Sequence, residues 1–299
     1  MLRITSSTLA SRMTSDLTRL SNTQSRLTQE MASGRRLIDA NDDVPATGRV
    51  MAYESEKRSL QQYERNAQRG ITNISVSSTA LTSIKEVANK IFNIAPQAAA
   101  SGVAVDQAAL AAQIDGLLEQ ALSLANNQVG GTYLFGSQET STAPFTATRD
   151  VNGRITAVTY TGDTGAAPEV AVSESASVPT LNNGTQNQQL ETMLNNFVAM
   201  RTAVLADNKP VIGSLQNAIG DDESNIVTML STLSTAQFRI EATQEQNKSR
   251  FNQLADLSAG ETDIDLAETI IKYQSAERSY EAALQAGSKL LQQSLLDYI

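Results

Sequence analysis

The sequence predicts a mainly α protein: an elongated antiparallel bundle of long helices, with paired terminal coiled-coil arms and a small β-rich insertion domain. Three observations predict it. Both ends place apolar residues every three and four positions. A long segment after the first arm keeps a seven-residue apolar repeat, and the middle of the chain switches to glycine, threonine and short alternating runs. Aromatic residues make up only 4% of the 299 residues and there is no Trp, which suits thin helical packing better than a thick globular core.

In chain order, the first arm carries Ala10, Met13, Leu17, Leu20, Leu27 and Met31 on one a/d seam, broken only by Gln24. Gly34 can end this helix. Asp42 or Asp43 can cap the next, with Pro45 in its first turn. In the second helix Leu60, Ala67, Ile74, Leu81 and Ala88 are spaced by seven, and Tyr63, Gly70, Ser77, Ile84 and Ile91 fill the companion position. About 50 residues at 1.5 Å rise make a rod of roughly 75 Å, and Pro96 to Gly102 is expected to break it.

A third helix, roughly 106–127, turns Leu110, Ile114, Leu117, Leu118, Ala121 and Leu124 inward. Glycines then bracket a short apolar strand at Tyr133-Leu134-Phe135-Gly136. Residues 154–160 alternate as a strand fed by the tight turn Asn152-Gly153, and 169–172 can form another. A helix follows over about 186–207, then a long one over 224–257 with Ile226, Leu230, Leu233, Ile240, Phe251 and Leu254 on its seam. Ser258-Ala259-Gly260 is expected to separate it from the last arm, whose seam reads Leu266, Ile270, Tyr273, Tyr280, Leu284, Leu291 and Tyr298. The implied division is 1–44 for the N-terminal arm, 45–130 and 221–258 for a helical rod domain in two parts, 131–220 for the insertion with its helix, and 259–299 for the C-terminal arm.

Charge divides along the same lines. Over 1–38, six Arg against Asp16 and Glu30 leave +4; over 261–299, seven acids against three bases leave −4. Opposite charge on two apolar-seamed ends favours their pairing. The whole chain carries −9, which argues against nucleic acid as a partner.

Several functions are disfavoured. With no Cys and no His, the chain has no disulfide, thiolate or imidazole chemistry and lacks most zinc ligands. No apolar run reaches the length of a membrane span or of a cleaved secretory leader, so an exported chain would leave by another route. Gly130, Gly131 and Gly136 lack the Gly-Lys-Ser/Thr of a phosphate loop, and Asn41-Asp42-Asp43 lacks the alternating ligands of a calcium loop. No catalytic, cofactor or metal site is expected.

The motifs resemble the flagellin superfamily. Its N-terminal signature stands as Ser33-Gly34-Arg35-Arg36 followed by Asp42-Asp43-Val44-Pro45-Ala46, with Val44 between acids and proline that are often adjacent. The C-terminal signature stands as Asp263-Ile264-Asp265-Leu266-Ala267-Glu268. Tyr133-Leu134-Phe135-Gly136 and the ending Ser294-Leu295-Leu296-Asp297-Tyr298-Ile299 resemble the superfamily's junction members more than its filament subunits. Ser234-Thr235-Ala236-Gln237-Phe238-Arg239 departs from the filament pattern. The resemblance implies a non-enzymatic, extracellular subunit of the bacterial flagellum. It implies type III export without a cleaved leader and with an export chaperone. It also implies a homo-oligomeric ring or helical layer between the other hook-associated junction protein and flagellin. Its alternatives are a filament flagellin and, in another class, a coiled-coil scaffold or signalling module.

Overall fold

The computed structural model describes residues 6–100 and 106–296. Six helices and three two-stranded antiparallel sheets follow in the order α1 (Ser6–Ser33), α2 (Val44–Ala99), α3 (Gln107–Ala125), β1 (Gln128–Val129), β2 (Thr132–Tyr133), β3 (Phe145–Arg149), β4 (Ile155–Tyr160), β5 (Glu169–Ala171), β6 (Ser177–Pro179), α4 (Gly184–Leu205), α5 (Lys209–Thr262) and α6 (Leu266–Leu296). This is the mainly α class with a small β insertion. The chain divides into two compact units, one of residues 1–59 with 250–299 and one of residues 60–249.

The second unit holds the principal core. From α2 it takes Ala67, Ile74, Leu81, Ile84, Ala88 and Ile91, all fully buried. Ile212, Ile219, Ile226, Leu233 and Ile240 of α5 are spaced by seven and equally buried. α3 and α4 pack on each other and α4 packs on β4, with Phe135, Phe145 and Phe197 filling the space.

Three helix boundaries differ from those the sequence suggests. α2 does not stop at Pro96 but runs to Ala99. A proline there removes the donor that Phe92 O would receive in the i−4 ladder. Gln216 Nε2 of α5 donates to that carbonyl instead, at 3.4 Å. α5 begins at Lys209 rather than near Ser224, because its heptad of buried Ile continues through Gly213 and Gly220. Ser258, Ala259 and Gly260 do not end α5; they are helical, and the break falls at Asp263–Asp265, where Asp265 Oδ1 caps α6 by accepting from Ala267 N and Glu268 N.

The insertion also differs in detail. The expected strand at 133–136 is reduced to Thr132–Tyr133: Leu134 N–H still donates to Asn127 O at 3.2 Å, but Leu134 and Phe135 are buried in the core and the chain turns at Gly136. β3, which the sequence does not announce, pairs with β4 from Phe145↔Tyr160 to Arg149↔Ile155, with an irregularity at Thr148/Arg149.

Asparagines finish the strand edges. Asn126 accepts from Phe145 N at 3.0 Å and donates to Phe145 O at 2.8 Å. Asn195 of α4 does the same to Val158 of β4, at 3.0 and 2.8 Å. Each amide stands in for a neighbouring strand, so the edge groups it meets are satisfied rather than open to another chain. Asn66 and Asn247 donate to Ala171 O and Val172 O at 3.0 and 2.8 Å, tying the β5–β6 hairpin to α2 and α5.

Asp222 is only 6% exposed and accepts a hydrogen bond from Asn196 Nδ2 at 2.6 Å. Burial pushes its carboxyl pKa up. Between the ordinary value and the raised one the folded chain holds a proton that the unfolded chain has lost, so stability falls as pH rises through that window. Asp222→Asn keeps an acceptor for Asn196 and removes the buried charge. It is expected to raise the melting temperature at neutral pH, and thermal scans should show the gain fading as the solution is acidified below the ordinary carboxylate range.

Candidate assembly interface: the terminal arms and their joint

α1 and α6 pack on each other in the first unit, and two contacts fix their direction as antiparallel. Gln24 Nε2 donates to Tyr273 Oη at 3.4 Å, and a side chain on Gly287 would come within 2.3 Å of Met13 Cε. On α1 the inward residues are Met13, Leu17, Leu20, Gln24, Leu27 and Met31; Leu27 is buried and the others half-buried. The matching face of α6 is Thr269, Tyr273, Ala276, Tyr280, Ala283 and Gly287, all buried or half-buried. Their spacing alternates four and three, as an a/d seam requires.

This corrects the sequence reading of α6. Tyr273 and Tyr280 do lie on the face toward α1. Leu266, Ile270 and Leu284 do not: they are 54%, 39% and 45% exposed, and Ile271 is 64% exposed. Small residues on the inner face let the α1 Met and Leu side chains approach the α6 backbone, as Met13 does at Gly287. The larger aliphatic residues are left on another side of α6. Tyr298 and the side chains of Ala10 and Leu291 lie outside the described residues. Among the described residues, the ion pairs Arg19–Asp16, Arg26–Glu30 and Lys272–Glu268 each stay inside one arm helix, so in them the opposite charges of the two ends do not bridge the pair directly.

Both helix pairs break at the same level, and the two signature motifs meet there. Gly34 closes α1 in the left-handed region at φ +70°, with its N–H on Glu30 O at 2.8 Å. The next residues form a bridge to the other break: Arg35 pairs antiparallel with Asp263, Arg36 N–H donates to Thr262 O at 2.7 Å, and Ile264 N–H donates to Gly34 O at 3.2 Å. Arg36, not Arg35, supplies the side-chain clamp, with one guanidinium nitrogen 3.2 Å from Asp43 Oδ2 and another 3.0 Å from Glu261 O.

The two acids divide the remaining work. Asp43 Oδ1 accepts from Ala46 N at 3.1 Å and starts α2, with Pro45 in its first turn, while Asp42 Oδ2 holds the N–H groups of Asp39 and Ile38. Those backbone N–H groups, with Arg36 second at Asp43, hold both carboxyls below their usual range. Their stabilising contribution is therefore present above the ordinary carboxylate pKa and lost as pH falls through the lowered values. Arg49 grips Glu261 through two nitrogens at 2.7 and 2.9 Å.

Replacing Gly34 by Ala is expected to cost about 1–2 kcal/mol, because a Cβ is strained in the left-handed region although the space around it is open. Differential scanning calorimetry of the variant should show a lowered transition. A Gly34→Asn variant should lose less, since Asn tolerates that conformation.

The third motif lies in the second unit. Tyr133 N–H donates to Thr140 O at 3.0 Å, and Gly136 O receives the N–H groups of Glu139 and Asp163, each at 3.2 Å. A Cβ on Gly136 would lie 2.0 Å from Glu139 O, so the turn requires glycine. These residues anchor the insertion to the end of α3. Among the described residues no cluster of three or more His, Cys, Asp or Glu could hold a metal ion, and no helix is long and apolar enough to cross a membrane.

Residues 4–140 match the bacterial flagellin N-terminal helical region. The chain is 23% identical over 290 residues to the flagellar hook-associated protein 3 of Escherichia coli strain K12, covering 86% of this chain and 87% of the relative. Its fold is that of a putative flagellar hook-associated protein from Vibrio parahaemolyticus, with TM-score 0.60, 17% identity, and coverage of 74% of this chain and 100% of that one. It is also that of FlgL from Bacillus cereus, with TM-score 0.58, 16% identity and coverage of 68% and 97%. Helical arms, a β insertion and a flagellin N-terminal region together define a flagellin-like structural protein, not an enzyme. Within that class the chain is similar to the hook-associated proteins of the bacterial flagellum.

Proposed function

We propose that this chain forms the thin junction layer between the hook-associated end of the flagellar hook and the flagellin filament. The observation that carries the reading is the aliphatic stripe of Leu266, Ile270 and Leu284 on α6, exposed on a helix whose inner face is already packed on α1. A single chain leaves this stripe in water, whereas a layer of copies covers it. The arms of each copy sit in the wall of a closed ring or helical layer. The five-part division at residues 44, 130, 220 and 258 describes these roles: two arms for assembly, a rod in two parts, and an insertion.

In this reading the other hook-associated protein lies on one side of the layer and flagellin on the other. The chain reaches the cell exterior through the flagellar type III route, escorted by an export chaperone. Cells lacking the protein are expected to build hooks and to shed exported flagellin into the medium, because filament subunits find no compatible end. Retention of normal filaments in the deletion strain would refute the junction role.

A further inference from the structure

The chain contains two Asn-Gly dipeptides, Asn152-Gly153 and Asn183-Gly184, and the fold treats them in opposite ways. Asn152 and Gly153 sit at the exposed tip between β3 and β4, beside the fully exposed Val151. Gly153 has φ +80°, and its N–H is held only by a surface hydrogen bond to Asp150 O at 3.0 Å. Asn183 is the N-cap of α4. Its Oδ1 accepts from Gln186 N at 2.8 Å while Gln186 Oε1 accepts from its own N–H at 3.1 Å. Gly184 is buried, donates its N–H to Gly165 O at 3.0 Å, and has no room for a side chain, since a Cβ would lie 2.2 Å from Thr164 Cα.

We propose that Asn152 is a site of spontaneous covalent modification, a deamidation through a cyclic imide, and that the capping box of α4 protects Asn183 from the same reaction. In the first step the Gly153 backbone nitrogen gives its proton to a solvent base and attacks Asn152 Cγ. The N–Cγ bond forms, the Cγ–Nδ2 bond breaks, and the side-chain nitrogen takes up a proton and leaves as ammonia. Water then opens the ring. Attack at Cγ yields an ordinary aspartyl residue at this position; attack at the backbone carbonyl yields an isoaspartyl linkage. The net change is water in and ammonia out, with no oxidant or reductant.

Glycine matters here because no Cβ hinders the attack, and the tip matters because its surface hydrogen bond can exchange with water. At Asn183 the carboxamide is held on the helix cap and the Gly184 nitrogen is committed to Gly165 O, so the two reacting atoms are kept from attack geometry. The product places a second carboxylate next to Asp150, which already accepts from Asn152 N and Arg154 N. The isoaspartyl form also lengthens the main chain at the tip. That shifts Gly153 O, which accepts from an Arg149 guanidinium nitrogen at 2.9 Å, and disturbs the Asp150 N to Arg154 O bond of 2.9 Å.

The test is peptide mapping by mass spectrometry of the purified full-length chain, incubated at mildly alkaline pH in heavy-oxygen water, with fragmentation that separates isoaspartate from aspartate. A parallel sample is incubated in urea. The folded chain is expected to convert the Asn152 peptide roughly tenfold or more faster than the Asn183 peptide, with heavy oxygen in the product, and the two rates should converge in urea. Equal rates in the folded chain would overturn the proposal. So would an unchanged Asn152 in the folded chain alongside conversion in urea. Asn152→Gln in the otherwise native chain should abolish the signal from that peptide and leave the thermal transition in place; persistence of the signal would equally overturn the assignment.

Discussion

Leu284→Asp and Ile270→Asp are expected to abolish incorporation into the flagellum while leaving the melting temperature of the single chain nearly unchanged. Both side chains are already in water in the isolated chain, at 45% and 39% exposure, so a carboxylate there costs folding little. In a layer that covers this face, the same carboxylate must be desolvated without a partner, which costs on the order of several kcal/mol. A loss of about 3 kcal/mol per contact corresponds to roughly a hundredfold in affinity, repeated at every subunit of the ring. The paired measurements are a thermal scan of the purified chain and a count of junctions in cells expressing it. Ala283→Asp makes the contrasting control. It sits on the face packed against α1 and should lower the melting temperature as well.

The largest effect on stability is expected at Arg201, a 7%-exposed arginine in the second unit. One of its guanidinium nitrogens lies 2.8 Å from Asp115 Oδ1 of α3 and 2.7 Å from Ile155 O at the start of β4, so a single side chain joins two helices and the insertion. Arg201→Met keeps the stem and removes the charge, leaving Asp115 in a partly buried place with only the more distant Arg154, at 3.8 Å. Removing one partner of a buried pair costs about 3–5 kcal/mol, and the partial exposure of Asp115 puts this case at the lower end. For a unit of this size that is a fall of roughly 10 °C in melting temperature. Arg201→Lys should recover part of it by restoring the charge without the second hydrogen bond. A double variant with Asp115→Asn should lose less than the single change, because no unpaired carboxylate remains.

What could be read from the sequence follows from how each residue declares its surroundings. The α2 repeat is legible because Ile74, Leu81, Ile84 and Ile91 are large and apolar and form two interleaved seven-residue repeats. The start of α5 carries an equally regular repeat from Ile212, but Gly213 and Gly220 argue locally for a break that tertiary packing overrides. Pro96 misleads for a related reason: the acceptor it strands is satisfied by a side chain from a distant helix, which no local rule can see. β3 offers only Phe145 and Ala147 as apolar residues, too few for an alternation signal.

The inner face of α6 was hidden by size. Thr269, Ala276, Ala283 and Gly287 have the right spacing but little hydrophobicity, so the eye goes to Leu266, Ile270 and Leu284, which belong to another face. At the joint, both signature motifs are plain in the sequence, yet their meeting through the Arg35–Asp263 bridge and the Arg36 clamp appears only once the chain has folded back on itself.

The central claim is that this chain serves as a thin layer at the base of the filament, and the most direct measurement is its position. Gold-labelled antibody against this polypeptide, viewed by electron microscopy on intact flagella, is predicted to mark one narrow band where hook meets filament. Label distributed along the filament would contradict the account and make the chain a filament subunit instead.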